Sequence, residues 1–288
     1  MTLISALLGI AADRLLPHLH EYRRYGFFLA YTDWWRERLS APAWDNIGGL
    51  IMMLLPLWLA VGLLQHWVSD WAFGLVGLLF YVAVLVYCLG PRDLAADADT
   101  YCRAHESGDN DLRWRAAGLL LRSAEAREGS AESAREVSNA VLVEASDRLF
   151  AVLFWFALLG PLGAVMYRSV AVLYQDQREE GEFGDGVAWL HGILVWLPVR
   201  LLALGYALSG HFDAAVEGWR DIQRAAPQGS EGSLQLLSVT SAAALGDVEP
   251  PGRRGGAEQV RAAMRLVWRT LAIWMVVIAL LTLAGWTG

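Results

Sequence analysis

Two intervals of the chain, residues 47–68 and 71–90, contain no Asp, Glu, Lys or Arg. Each is about the length of a helix that crosses a bilayer, roughly 20 apolar residues. In hydrocarbon an unpaired backbone group costs several kcal/mol, so such segments close their hydrogen bonds internally, as helices. The two-residue link Ser69-Asp70 makes the pair an antiparallel hairpin, with Trp67 and Trp71 as interfacial anchors. Composition agrees: 56% of residues are hydrophobic, 18% are charged, and 14 are Trp. A net charge of −7 offers no basic surface, so nucleic acid is excluded as a partner.

The expected fold is an all-α, polytopic helical membrane protein. It has about 4–6 transmembrane or re-entrant helices and a helical cytoplasmic insert. Residues 1–90 form the N-terminal membrane and interfacial part. Within it, residues 1–16 are short for a span, and residues 17–46 interleave Arg with Tyr and Trp as a helix on the headgroups does. Residues 91–146 form the insert, with helices over 93–106, over 111–128 and after Ser133. Residues 147–211 form a broken-helix membrane core, interrupted by an acidic loop over 175–186. Residues 212–266 hold an amphipathic helix and then a Gly-, Ser- and Pro-rich loop from 228 to 256. Residues 267–288 hold the last span. Nothing at the N-terminus reads as a cleavable signal peptide. Cys88 and Cys102 lie in different settings and suggest neither a disulfide framework nor a metal site.

The core segment carries the candidate site. Gly160, Pro161, Gly163 and Pro198 are expected structural breaks, because proline removes a helix donor and glycine permits a turn. Residues 147–174 read either as one kinked span or as two half-helices that enter and return. Counting arginines by side of the membrane favours the single crossing, with six passes in all. Arg168 and Arg200 lie in apolar runs, where an ionisable group faces a protein interior or a polar cavity. Guanidinium binds phosphate or carboxylate bidentately, so these two residues are the candidate anion site. Equally, each can pair with an acid or with a carbonyl freed by proline. Glu144 and Asp147, three apart on one helix face, are candidate partners or a solvated face. His191 reads as a relay or as a packed interior histidine. No metal ligand set, catalytic residue or cofactor motif is found, and the nucleotide, zincin and serine-hydrolase signatures are absent from the sequence.

The run WLPVRLLALGYALSGH at 196–211 resembles the AmpE family of bacterial inner-membrane proteins, which is linked to regulation of chromosomal beta-lactamase. The opening MTL with DRL, and LFAVLFW at 149–155, resemble the same family. That family is in turn distantly similar to the membrane-bound adenosylcobinamide-phosphate synthases. Their pattern runs E-N-x-x-D-G, then G-x-P-G-A-x-x-Y-R-x-x-N-T-L-D, then D-D-x-x-N-W-L-P-A-R-L. Asp147 falls on the first aspartate. Gly160, Gly163 and Ala164 fall near the glycine turn, and Tyr167 and Arg168 fall on the Tyr–Arg pair. Trp196, Leu197, Pro198, Arg200 and Leu201 fall on the last motif. Glu144 and Val143 replace the Asn and Glu of the first motif. Ala171 and Tyr174 replace the Asn and Asp of N-T-L-D. His191-Gly192 and Val195 replace the Asp-Asp pair and its Asn.

The resemblance implies a multi-pass protein of the bacterial inner membrane with a regulatory or signalling role in beta-lactamase induction and cell-wall stress. The residues themselves, with the Tyr–Arg and Asp matches, make Arg168, Arg200, Tyr167, Glu144, Asp147 and His191 the candidate ligand-binding residues. Its partners would be membrane lipids and another transmembrane protein or a cytoplasmic regulator. The alternatives are a ligase or transferase of the synthase type with a degenerate site and, last, a transporter, suggested by the proline-broken helices.

Overall fold

A computed structural model describes residues 2–15, 25–38, 45–68, 75–90, 92–121, 134–176, 181–225, 229–246 and 253–284. Among the described residues every regular element is helical. In chain order these are α1 (Thr2–Leu15), α2 (Gly26–Arg38), α3 (Ile47–Val68), α4 (Leu75–Cys88), α5 (Leu94–Ser107), α6 (Asn110–Leu121) and α7 (Ala134–Ala145). A π-helical turn, Ser146–Phe150, follows. Then come α8 (Ala151–Leu159), α9 (Pro161–Gln175), α10 (Glu182–Ser209), α11 (Phe212–Ala225), α12 (Gly229–Leu245) and α13 (Arg253–Leu283). Among the described residues three helices are long and apolar enough to cross a membrane: α3, α10 and, within α13, Gly255–Leu283. The chain is a helical membrane protein. The links at 69–74, 122–133 and 177–180, and most of 17–46 outside α2, lie outside the described residues.

The chain divides into two compact units. The first is Met1–Pro91, Ala151–Leu197 and Val277–Gly288. The second is Arg92–Phe150 and Pro198–Val276. The helix starts follow local chemistry. The Asn46 Oδ1 accepts the Gly49 amide at 2.9 Å and caps α3, and Asp93 caps α5 through the Ala95 amide at 2.8 Å. Gly108, at φ 76°, ends α5 in the left-handed conformation. Asp109 then receives the Leu112 amide at 3.0 Å and starts α6.

The structure corrects three readings. The segment 147–174 is not a single kinked span. A Cβ on Gly163 would sit on the Trp155 carbonyl and 2.9 Å from the Leu159 Cβ. Eight residues of continuous helix advance about 12 Å, so the chain must turn back at Gly160-Pro161. The result is a helical hairpin: the first arm is the end of an unbroken helical run, 134–159, that includes the π-turn, and the second is Pro161–Gln175, 15 residues. The second arm reaches about 23 Å, short of a ~30 Å core. The arginine count favoured crossing because it weighs loops only and is blind to a turn inside the apolar run.

Second, Pro198 breaks nothing: α10 runs through it. Third, residues 229–245, expected as loop from their Gly and Ser content, are helical. Leu236, Leu237, Thr240, Ser241 and Ala244 are buried on one stripe with helical spacing. Small residues serve close packing here. A Cβ on Gly218 of α11 would meet Val239 of α12 at 3.3 Å, and the His211 amide donates to the Ala244 carbonyl at 2.8 Å. The acidic loop also ends earlier than expected, since Glu182 and Asp185 form the first turn of α10, where the helix dipole favours them.

The hairpin turn is testable. Gly163→Val forces a side chain onto the Trp155 backbone and is expected to cost about 1–3 kcal/mol, read as a lowered Tm of the detergent-purified protein. Gly26→Ala, with nothing within 4 Å of the new Cβ, is expected to leave Tm unchanged.

Candidate functional site

The first unit contains several backbone groups that a helix cannot satisfy by itself. At the hairpin tip, Gln65 of α3 serves both sides of the turn: its Nε2 donates to the Leu159 carbonyl at 3.3 Å, and its Oε1 accepts the Leu162 amide at 3.0 Å. Gly160 holds φ 68° there, and a Cβ at that position would meet Gln65 at 2.9 Å. Pro198 lacks the N–H that would bond the Leu194 carbonyl four residues back. The Trp155 indole N–H donates to that carbonyl at 3.0 Å. In the turn before Pro56, the Met53 carbonyl takes the Tyr31 hydroxyl at 2.9 Å.

Arg168 belongs to this set. Its side chain is 3% exposed, and its Nε donates to the carbonyl of Cys88, the last residue of α4, at 2.6 Å. The Tyr25 hydroxyl reaches the Leu89 carbonyl at 3.2 Å, in the same helix end. The rings of Tyr25 and Tyr167 each lie 5.9 Å from the guanidinium carbon, within cation–π range. Tyr167 also leads to His191, with ring centroids 6.3 Å apart. His191 is buried and stacks on Tyr174 at 4.1 Å with planes 9° apart. Arg168, Tyr167 and His191 therefore share one neighbourhood in the first unit.

Beside Arg168 lies a cavity of about 660 Å³, walled by α2, α3, α4 and α9. Phe28, Leu57, Val61, Val84, Val165 and Arg168 are among its lining residues. Three of the hydroxyls in its wall are turned into the protein: Tyr25 to Leu89, Tyr31 to Met53, and Ser169 to the Met166 carbonyl at 3.0 Å; Tyr87 also lines the cavity. Ser169 also accepts the Trp58 indole N–H at 3.1 Å. What the cavity offers is hydrocarbon surface, with a guanidinium in one wall.

Glu144 is not with Arg168. It lies in the second unit and binds Arg148, four residues on, at 2.8 Å. Arg148 is 5% exposed and also reaches Asp97 at 3.0 Å and the Leu119 carbonyl at 3.3 Å. Arg92 takes the other side of Asp97 at 3.0 Å. The solvated-face reading of Glu144 is thus corrected as well. Asp147 is half-buried in the π-turn. Arg200, also in the second unit, is partly exposed on the face of α10 that carries Leu197, Leu201 and Leu204. Sequence reasoning missed Gln65, Tyr25, Trp155, Asp97 and Arg148. Two had a signal: Gln65 is a lone amide in a charge-free span, and Arg148 lies at i+4 from Glu144. Among the described residues no three His, Cys, Asp or Glu side chains gather as a metal site.

Long apolar helices, a hairpin that turns back inside an apolar run, and a hydrocarbon cavity with a buried cation define a membrane protein built around an irregular helical core. Sequence comparison places it. The chain belongs to the AmpE family: the family model that matches residues 1–287 is described as "Regulatory signalling modulator protein AmpE". It is 29% identical to Protein AmpE of Shigella flexneri over 225 residues, 74% of this chain and 76% of that one. It is also similar to proteins named cobalamin biosynthesis protein CobD. That of Chromobacterium violaceum is 32% identical over 83% of this chain and 79% of its own length. That of Stutzerimonas stutzeri is 31% identical over 96% and 89%. No solved structure matches.

Two predictions follow from the second unit. Arg148→Met leaves Glu144 and Asp97 buried without their shared cation and is expected to destabilise by about 3–5 kcal/mol, read as Tm. Burial pushes the Cys102 thiol up to about 11, and its Sγ donates to the Ala257 carbonyl at 3.4 Å. The thiolate is the reactive form, so at pH 8 this group is almost wholly neutral. In a Cys88→Ala background, iodoacetamide at pH 8 is expected to label denatured but not folded protein, with mass spectrometry as the readout.

Proposed function

We propose that this chain is a non-enzymatic regulatory protein of the bacterial inner membrane, acting in beta-lactamase induction and the response to cell-wall stress. It would bind an anionic ligand beside Arg168 and report occupancy to a cytoplasmic partner through the Arg-rich helices at 92–150. The family supports the regulatory class. The observation that carries the choice over catalysis is the pair Tyr174 and His191. Both positions are aspartates in the synthase pattern that the sequence resembles. Here they are two aromatic rings stacked at 4.1 Å. Carboxylates at that spacing could share a proton or hold a cation. A phenol stacked on an imidazole does neither in the same way. With both positions changed to a matched pair, the acidic chemistry is replaced by packing.

The second reading is a membrane-bound ligase or transferase of the synthase type, favoured by the similarity to the CobD protein of Stutzerimonas stutzeri over 96% of the chain.

One experiment separates the two. The gene is deleted in its own host and restored as wild type or as Arg168→Gln. Beta-lactamase activity after a beta-lactam challenge, and growth that depends on added cobalamin, are measured side by side. The regulatory reading expects induction to change at least several-fold in the deletion and in Arg168→Gln, with no cobalamin requirement. Unchanged induction together with a new cobalamin requirement would overturn it in favour of the enzyme.

A further inference from the structure

The ligand at Arg168 can be defined further, on the reading that this site binds an anionic molecule. We infer that the first-unit cavity holds one acyl chain of an anionic phospholipid, with the phosphate against the Arg168 guanidinium.

Three observations lead there. The first is chemical. With the Tyr25, Tyr31 and Ser169 hydroxyls bonded to backbone carbonyls, the walls apart from Arg168 and Tyr87 present CH and ring surface. A sugar, nucleotide or peptide placed there would leave its own polar groups unpaired, at about 1–3 kcal/mol each. A hydrocarbon chain loses nothing.

The second is the direction of polarity. Arg168 bonds Cys88, where the apolar helix α4 ends and the polar stretch beginning at Arg92 follows. Val84 and Val165 lie about one turn further into the apolar segments from Cys88 and Arg168, and Val61 lies within α3. The cation thus stands at the level where α4 ends; Val172, one turn past it on α9, also lines the cavity, and toward Val165, Val84 and Val61 the lining is apolar. That is the polarity of a lipid: an anionic head at the membrane edge and a tail running inward. Arginine suits the head, since its planar fork matches phosphate.

The third is size. The cavity holds about 660 Å³. Pockets of this volume suit small ligands.

The test uses the full chain, purified in mild detergent and exchanged into mixed vesicles of phosphatidylglycerol and phosphatidylcholine with identical tails. Native mass spectrometry then counts the lipids that survive removal of the annulus. Ala83, exposed at the cavity wall, is changed to Trp to fill the space; Leu79→Trp, on the same helix and outside the lining, is the control. Wild type and Leu79→Trp are expected to retain one phosphatidylglycerol, preferred at least tenfold over phosphatidylcholine. Ala83→Trp is expected to lose it at least tenfold with an unchanged Tm, and Arg168→Gln to keep a lipid without the headgroup preference. Equal retention by Ala83→Trp, or no headgroup preference in wild type, would overturn the inference. Beta-lactamase induction is assayed on the same variants. If Ala83→Trp loses the lipid and induction is normal, the lipid site stands and the regulatory reading falls. If wild type retains no lipid yet Arg168→Gln blocks induction, the lipid falls and the regulatory reading stands.

Discussion

In hydrocarbon no water is present to receive a backbone group that a helix leaves over, and each such group costs several kcal/mol. The first unit meets this constraint with single side chains at a hairpin turn, at a helix end and beside prolines within helices. Gln65 bridges the hairpin tip, Trp155 covers the carbonyl opposite Pro198, Tyr31 serves the turn before Pro56, and Arg168 and Tyr25 close the end of α4. These residues come from helices distant in sequence, so each bond also fixes one helix against another. The cavity follows from that arrangement. Because the polar tips of its lining are spent on carbonyls, the remaining surface is apolar.

Arg168 therefore has two roles that do not conflict. Its Nε holds the Cys88 carbonyl, which locates the side chain, and two tyrosine rings lie within cation–π range of its charge. The bond to the backbone sets the orientation of the guanidinium in the cavity wall. The second unit treats a buried arginine differently. Arg148 is matched by two carboxylates, Glu144 and Asp97, and by a carbonyl, beside a π-turn. Charge balance there is internal and serves cohesion of α5, α6 and α7 within that unit. The contrast separates a structural arginine from one that lines a cavity.

The sequence makes the membrane elements legible because absence of charge over twenty residues has one physical meaning. The reading of 47–68 coincides with α3, and that of 93–106 falls within a residue of α5. The glycine–proline break at 160–163 is likewise readable. Its direction is not, because a kink and a reversal use the same residue types, and the deciding contact, Gly163 against the Trp155 backbone, is tertiary. The site residues fail in a similar way. Pairing Arg168 with Glu144 is reasonable from charge alone, yet the acceptor chosen is a carbonyl, which every residue carries and no sequence distinguishes. Glu144 instead finds Arg148 on its own helix, one turn on. Residues 229–245 misread as loop because Gly and Ser density marks both turns and close helix packing; here the small residues let α11 approach α12.

The claim on which the account rests is that the chain reverses at Gly160-Pro161 and that the cavity beside Arg168 is a lipid site. The most direct measurement is an electron cryomicroscopy map of the full chain in nanodiscs containing phosphatidylglycerol. The account predicts two antiparallel helices meeting at Gly160, with Gln65 at their tip, and chain-like density running from the Arg168 guanidinium past Val165 toward Val61. One continuous helix through residues 151–175, or a cavity closed by its own side chains, would contradict it.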